Sequence, residues 1–73
     1  MNRHEVVTEV TGSVWKILAT VGDRLAVGAT VMIVESMKME IPVLIEDASI
    51  LIELLVQEGE PVSEGQVVAI VEE

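Results

Sequence analysis

Val21-Gly22-Asp23-Arg24-Leu25-Ala26-Val27-Gly28-Ala29-Thr30-Val31-Met32-Ile33-Val34-Glu35 can be laid over Glu58-Gly59-Glu60-Pro61-Val62-Ser63-Glu64-Gly65-Gln66-Val67-Val68-Ala69-Ile70-Val71-Glu72 at a constant offset of 37 residues, Val21 onto Glu58. Both glycines coincide, and so do the closing Ile-Val-Glu triplets. The same offset brings Val14, Ile17 and Leu18 onto Leu51, Leu54 and Leu55, so the correspondence runs through nearly the whole half-chain. Valine-rich segments match one another partly by composition; the paired glycine spacing is what argues for a duplication. Each half reads as strand, turn, short strand, turn, strand, with Gly22-Asp23 and Gly59-Glu60 at the first turn and Val27-Gly28 and Glu64-Gly65 at the second. The residues predict strands over 6–10, 14–21, 24–25, 30–35, 39–45, 49–56, 61–62 and 67–71. Pro61 has no amide hydrogen to give a ladder, so it belongs at the start of its short strand or on an edge.

Each such unit alone would expose an apolar face, and stacking the two faces gives a small sandwich or flattened β-barrel with an internal pseudo-two-fold axis. Composition agrees with an all-β fold. Valine and isoleucine number 21 against six leucines, with no Phe or Tyr and only Trp15, and stiff β-branched side chains suit a pleated sheet. Seventy-three residues make one domain, 1–73, and a chain of this size buries only about 60% of the surface it exposes when unfolded. With no cysteine, neither a disulfide nor a thiolate metal site adds stability, which suits a reducing, cytoplasmic setting.

Thirteen acidic residues stand against Arg3, Lys16, Arg24 and Lys38, a net charge of −9 that repels a phosphate backbone and argues against nucleic-acid binding. No apolar run approaches the roughly 20 residues of a membrane span, and residues 1–9 lack the apolar core of a secretory signal. The expectation is a soluble protein away from membranes.

At the junction of the two halves lies Glu35-Ser36-Met37-Lys38-Met39-Glu40. In an antiparallel arrangement this junction is a hairpin far from both termini, with Lys38 in it. Two-residue hairpins favour Asn-Gly or Asp-Gly, because type I′ geometry demands positive φ at both central positions. Met37-Lys38 is poor chemistry for that turn, so either a functional requirement overrides local stability or the loop is longer or of another type. Turn statistics alone make a lysine here an ordinary solvated tip.

The hexapeptide resembles the biotin-attachment motif of biotinyl (biotin carboxyl carrier) domains. Gly12-Ser13-Val14-Trp15-Lys16-Ile17, Val21-Gly22-Asp23 and Val27-Gly28 are similar to the first half of that family, and Glu58-Gly59-Glu60 with Glu64-Gly65 resembles its second. The likeness covers nearly the whole chain and points most to the small, stand-alone biotin/lipoyl attachment type. It implies a flattened barrel, or barrel-sandwich hybrid, of two four-strand halves with the lysine exposed at the central hairpin. It further implies that biotin protein ligase joins biotin to Lys38 through an amide, and that biotin carboxylase and a carboxyltransferase are the partners the tethered group visits. The chain would then be a carrier and not an enzyme, and Lys38 a tether and not a buried catalytic base. Lipoyl domains of similar fold usually carry Asp before the lysine and Ala after it. Met37 and Met39 therefore favour biotin over lipoate, and with Glu35 they are the expected ligase-recognition residues. The alternatives are a lipoyl carrier and an unmodified β-domain used for protein contacts.

Two departures from the family pattern bear on the scaffold. Ser49 stands where related domains commonly have glycine, and carries strain if that position needs positive φ. The run Ile50, Leu51, Ile52, Leu54, Leu55, Val56 is more apolar than alternation requires, leaving a side chain such as Ile52 exposed or in an oligomer contact. Lys16, the only other lysine, reads as a strand-face charge. Met32 and Trp15 read as packing residues, and Glu46, Asp47, Glu58, Glu60 and Glu64 as solvated turn residues. His4, near Glu5 and Glu9, lacks the ligand count for a metal site.

Overall fold

The computed structural model describes residues 2–73, and among them every regular element is a strand. These are β1 (Arg3–Val7), β2 (Gly12–Ile17), β3 (Arg24–Leu25), β4 (Thr30–Ser36), β5 (Met39–Leu44), β6 (Ser49–Leu54), β7 (Pro61–Val62) and β8 (Val67–Glu72). They form two antiparallel four-stranded sheets, ordered β1-β8-β6-β3 and β5-β4-β2-β7. The molecule measures 36 × 17 × 17 Å.

The 37-residue offset carries one sheet onto the other. Ser13↔Glu35, Val14↔Val34, Lys16↔Ile33 and Ile17↔Met32 in the β2/β4 ladder become Ile50↔Glu72, Leu51↔Val71, Glu53↔Ile70 and Leu54↔Ala69 in β6/β8. The turns repeat too. The Gly28 amide donates to the Ile45 carbonyl as Gly65 does to Thr8, both at 2.8 Å, and Gly22 donates to Leu51 as Gly59 does to Val14. All four of these glycines have φ between 84 and 100°, which explains why glycine marks the repeat more sharply than any apolar position does. Even the hairpin has a counterpart: where Ser36 pairs with Met39, the related place holds Glu73, whose amide donates to the Asn2 carbonyl at 2.9 Å.

The core lies between the sheets and is wholly aliphatic, with Val14, Val31, Met32, Val34, Leu51, Val68 and Ala69 fully buried. Symmetry-related core positions trade size: Met32 corresponds to Ala69, and Leu51 to Val14. A layer that alternates large and small packs densely without an aromatic residue.

The strand boundaries differ from the sequence reading by two residues or more at β1, at β2 and at the end of β6, which stops at Leu54 and not at 56. β1 occupies Arg3–Val7, not 6–10. The hydroxyl of buried Thr8 donates to the Val10 carbonyl at 3.0 Å and turns the chain out of the sheet there, while polar Arg3-His4-Glu5 form an edge that needs no apolar alternation. β2 stops at Ile17, because the Leu18 and Ala19 amides both converge on the Val31 carbonyl.

Bulges account for the irregular apolar pattern. The β2/β4 register shifts between Val14 and Lys16, and the β6/β8 register shifts between Leu51 and Glu53. Trp15 and Ile52 occupy these equivalent bulges. The run does leave apolar side chains outward, as expected, but they are Ile50 and Leu55, while Ile52 is half-buried. Trp15 is 48% exposed and so is not the packing residue expected of it. Ser49 has no positive φ; it is buried, and its hydroxyl donates to the Asp47 carbonyl at 3.0 Å, so the strain considered for it is absent.

Candidate attachment site

From Met32↔Val43 onward β4 and β5 stay in register to their last pair, Ser36↔Met39, leaving Met37 and Lys38 as a two-residue turn. Met37 has φ 51° and Lys38 φ 65°, the only non-glycine residues with positive φ among those described. The turn that the local sequence disfavours is therefore the one that forms, with both central residues left-handed as type I′ requires. Holding side-chain-bearing residues there costs roughly 1–2 kcal/mol each.

The base of the hairpin resists that cost. The Ser36 hydroxyl donates to the Thr11 carbonyl at 2.7 Å, and the Thr11 hydroxyl accepts from the Glu64 amide at 2.9 Å, so the tip is tied through β2's approach to a turn of the second half. Gly12 lies so close to the Glu35 carbonyl that a Cβ would strike it, which draws the start of β2 tightly against the end of β4. Sequence reading missed this clamp of Ser36, Thr11 and Gly12. A signal was present in the offset itself, which pairs Gly12, packed against the Glu35 carbonyl at the hairpin base, with Ser49, which pairs with Leu25 in the other sheet.

Beyond the clamp the tip is free of the fold. Met37 is 91% exposed and Met39 59%, and Lys38, Glu35 and Glu40 are all exposed. Glu35 and Glu40 face each other across the ladder directly below the tip, an unfavourable like-charge pair for strand pairing. Lys38 makes no ion pair among the described residues, and neither the cleft of about 480 Å³ between β1 and β5 nor the one beside Arg3 and Ile70 is lined by residues 35–40. The site is a projection: a primary amine on a four-carbon stem, held at the apex of a rigid turn with a thioether on either side. A partner enzyme can take such an amine into its own active site.

The remaining candidates separate from this site. Met32 is in the core, and Lys16 is exposed on β2. His4 Nε2 lies 2.6 Å from Glu73 Oε2, and no metal-holding group of three His, Cys, Asp or Glu side chains occurs among the described residues. Of the turn carboxylates, Glu58 accepts from the Ile17 amide at 2.9 Å and Glu60 from the Gln57 amide at 3.2 Å, so these two fasten backbone as well as meeting solvent. Among the described residues no helix is long and apolar enough to cross a membrane.

Comparison with known proteins agrees with this geometry. The model of the biotin/lipoyl family, described as "Biotin-requiring enzyme", matches residues 4–71. A biotin/lipoyl attachment protein of Bacillus subtilis (strain 168) is 41% identical over 59 residues, 81% of each chain. A protein of Mycobacterium leprae (strain TN), named as a homolog of biotinylated protein TB7.3, is 34% identical over 67 residues, 92% of this chain and 94% of that one. Among solved structures, the Kluyveromyces lactis urea carboxylase superposes with a TM-score of 0.92 at 32% identity, covering 97% of this chain and 6% of that chain. With its duplicated eight-strand scaffold, its central lysine hairpin and a family match from His4 to Val71, the chain belongs to the biotin/lipoyl attachment domain family.

Proposed function

We propose that residues 1–73 are a single biotin carboxyl carrier domain and that Lys38 is the residue biotinylated. The observation that carries this reading is the exposed Lys38 amine at the apex of a strained, clamped two-residue turn between exposed Met37 and Met39. In the attachment step the Nζ lone pair attacks the acyl carbon of a biotinyl adenylate held by biotin protein ligase. An amide N–C bond forms, the bond from that carbon to the AMP phosphate oxygen breaks, and the amine proton leaves to solvent. Once attached, biotin supplies a ring that carries a carboxyl group between biotin carboxylase and carboxyltransferase sites. The chain contributes presentation: the lysine stem, the tight turn and the barrel beneath it keep the tether accessible and raise its effective concentration at successive active sites. Met37 and Met39 offer adaptable apolar contacts to the ligase, and Glu35 sits three residues before the acceptor as a further recognition residue. On this reading the chain is a cytoplasmic carrier with no catalysis of its own.

A lipoyl carrier is the second reading, because the matching family and the B. subtilis relative are named for both cofactors. Met37 in place of the usual Asp weighs against it. Co-expression with biotin ligase and, separately, with lipoate ligase, followed by intact-mass measurement, decides between them. The expected outcome is a single biotinyl adduct on the wild type, kept in Lys16→Arg and lost in Lys38→Arg. A lipoyl adduct alone supports the second reading, and no adduct with either ligase leaves an unmodified β-domain.

A further inference from the structure

We propose that Met37 is a sulfoxidation site, and that its oxidation by hydrogen peroxide blocks acylation of Lys38. The proposal rests on Lys38 being the acyl acceptor, and it adds a chemical control on loading of the same site. Three described methionines occupy very different surroundings: Met37 is 91% exposed, Met39 59% and Met32 0%. The chain has no cysteine, so no thiolate within it competes for the oxidant. A sulfur lone pair of Met37 attacks one peroxide oxygen, an S–O bond forms and the O–O bond breaks. The departing hydroxide takes up the remaining proton as water; the thioether has lost two electrons and the peroxide has gained them.

The consequence for Lys38 follows from adjacency. Met37 and Lys38 are consecutive residues of one two-residue turn, with Cα atoms about 3.8 Å apart, so an enzyme that encloses the amine also covers the neighbouring side chain. A thioether enters such a covered surface as an apolar group. A sulfoxide brings a strong, chiral acceptor oxygen that loses its water and finds a partner only by chance. Met37 makes so little contact with its own fold that oxidation leaves the barrel intact, which confines the effect to recognition of the tip.

The test treats the whole apo chain with hydrogen peroxide, removes the oxidant with catalase and only then adds biotin ligase, or lipoate ligase if that is the enzyme that loads the chain. Peptide mass spectrometry is expected to find oxygen first on Met37, then on Met39, and none on Met32 while the circular dichroism stays native. The initial rate of acylation should fall roughly ten- to hundredfold in the Met37-oxidised protein, and methionine sulfoxide reductases should restore it. Met37→Leu, compared only with its own untreated sample, should lose less than twofold. An unchanged rate for Met37-oxidised protein overturns the proposal, as does an equal loss in treated Met37→Leu or oxidation of Met32 in step with Met37. An untreated chain that accepts no acyl group from either ligase is a different result: it removes the carrier reading and this inference together.

Discussion

Met37 and Lys38 hold positive φ without the glycine or asparagine that would make it inexpensive, and no other non-glycine residue described does so. Strained backbone concentrates where structure serves something besides stability, and here it falls on the proposed acceptor lysine and its neighbour. Replacing both by the residues the turn prefers should therefore make the domain more stable while removing the proposed acceptor. Met37→Asn/Lys38→Gly is expected to gain about 1–2 kcal/mol, seen as a higher urea midpoint at unchanged slope and a melting temperature raised by several degrees. A midpoint equal to or below wild type would show that the turn carries no strain. The sequence made this tension legible, since Met-Lys conflicts with any tight hairpin, but it could not say which side of the conflict wins. That was decided by long-range pairing, six β4/β5 partners ending at Ser36↔Met39. Ser49 shows the opposite case. A family glycine suggested positive φ there, yet φ is a property of the backbone path, and here the position is a buried strand start with its hydroxyl satisfied.

Between residues and fold, the hairpin is a lever whose fulcrum is the Ser36, Thr11 and Gly12 clamp. The Ser36 hydroxyl bond to the Thr11 carbonyl spans 25 residues of sequence, and the Glu64 amide bond to the Thr11 hydroxyl spans 53. Ser36→Ala removes the first of these and leaves an exposed carbonyl that water can satisfy, so the global cost is small, about 0.5–1.5 kcal/mol. The local cost is larger in kind. Amide exchange should quicken at Met39, the partner of Ser36, and stay at the wild-type rate at Val34 deeper in β4. Equal protection at Met39 in both proteins would mean that strand pairing alone sets the tip. Contacts of this sort were out of reach of periodicity, which sees a side chain's face and not its distant partner. The same limit explains the bulges: alternation read across Val14-Trp15-Lys16 and Leu51-Ile52-Glu53 assigns wrong faces, because one extra residue in each strand resets the period. Turn glycines suffered no such limit, since Gly22, Gly28, Gly59 and Gly65 mark a requirement local to each residue.

At the scale of the molecule, duplication made the architecture readable before any coordinate. Two matching halves that each lack a partner for their apolar face have few ways to bury it, and the offset of the chain became the symmetry of the fold. Charge is the property that this symmetry does not balance. Thirteen carboxylates and four cations are gathered into a body with a radius of gyration of 11.2 Å, against roughly 26 Å for an unfolded chain of this length. Only Arg3–Glu72 and His4–Glu73 pair closely among the described residues, while Glu35 and Glu40 face each other across a ladder. Folding therefore compresses a net charge of −9, and self-repulsion opposes the compact state. At about 0.01 M salt the screening length of ~30 Å exceeds the 17 Å width of the molecule and approaches its 36 Å length, so most carboxylates sense one another; at about 0.15 M it shrinks to ~8 Å and only near neighbours count. The exposed Arg3–Glu72 pair also weakens with salt, but a surface pair of this kind contributes at most about 1 kcal/mol. Repulsion is the larger effect, so sodium chloride should stabilise the domain by about 1–2 kcal/mol between those two concentrations. Urea titrations in chloride measure this without the surface exclusion that sulfate would add. A midpoint that fell with added chloride would show that attractive pairs, and not the excess of carboxylates, govern the electrostatics of the fold.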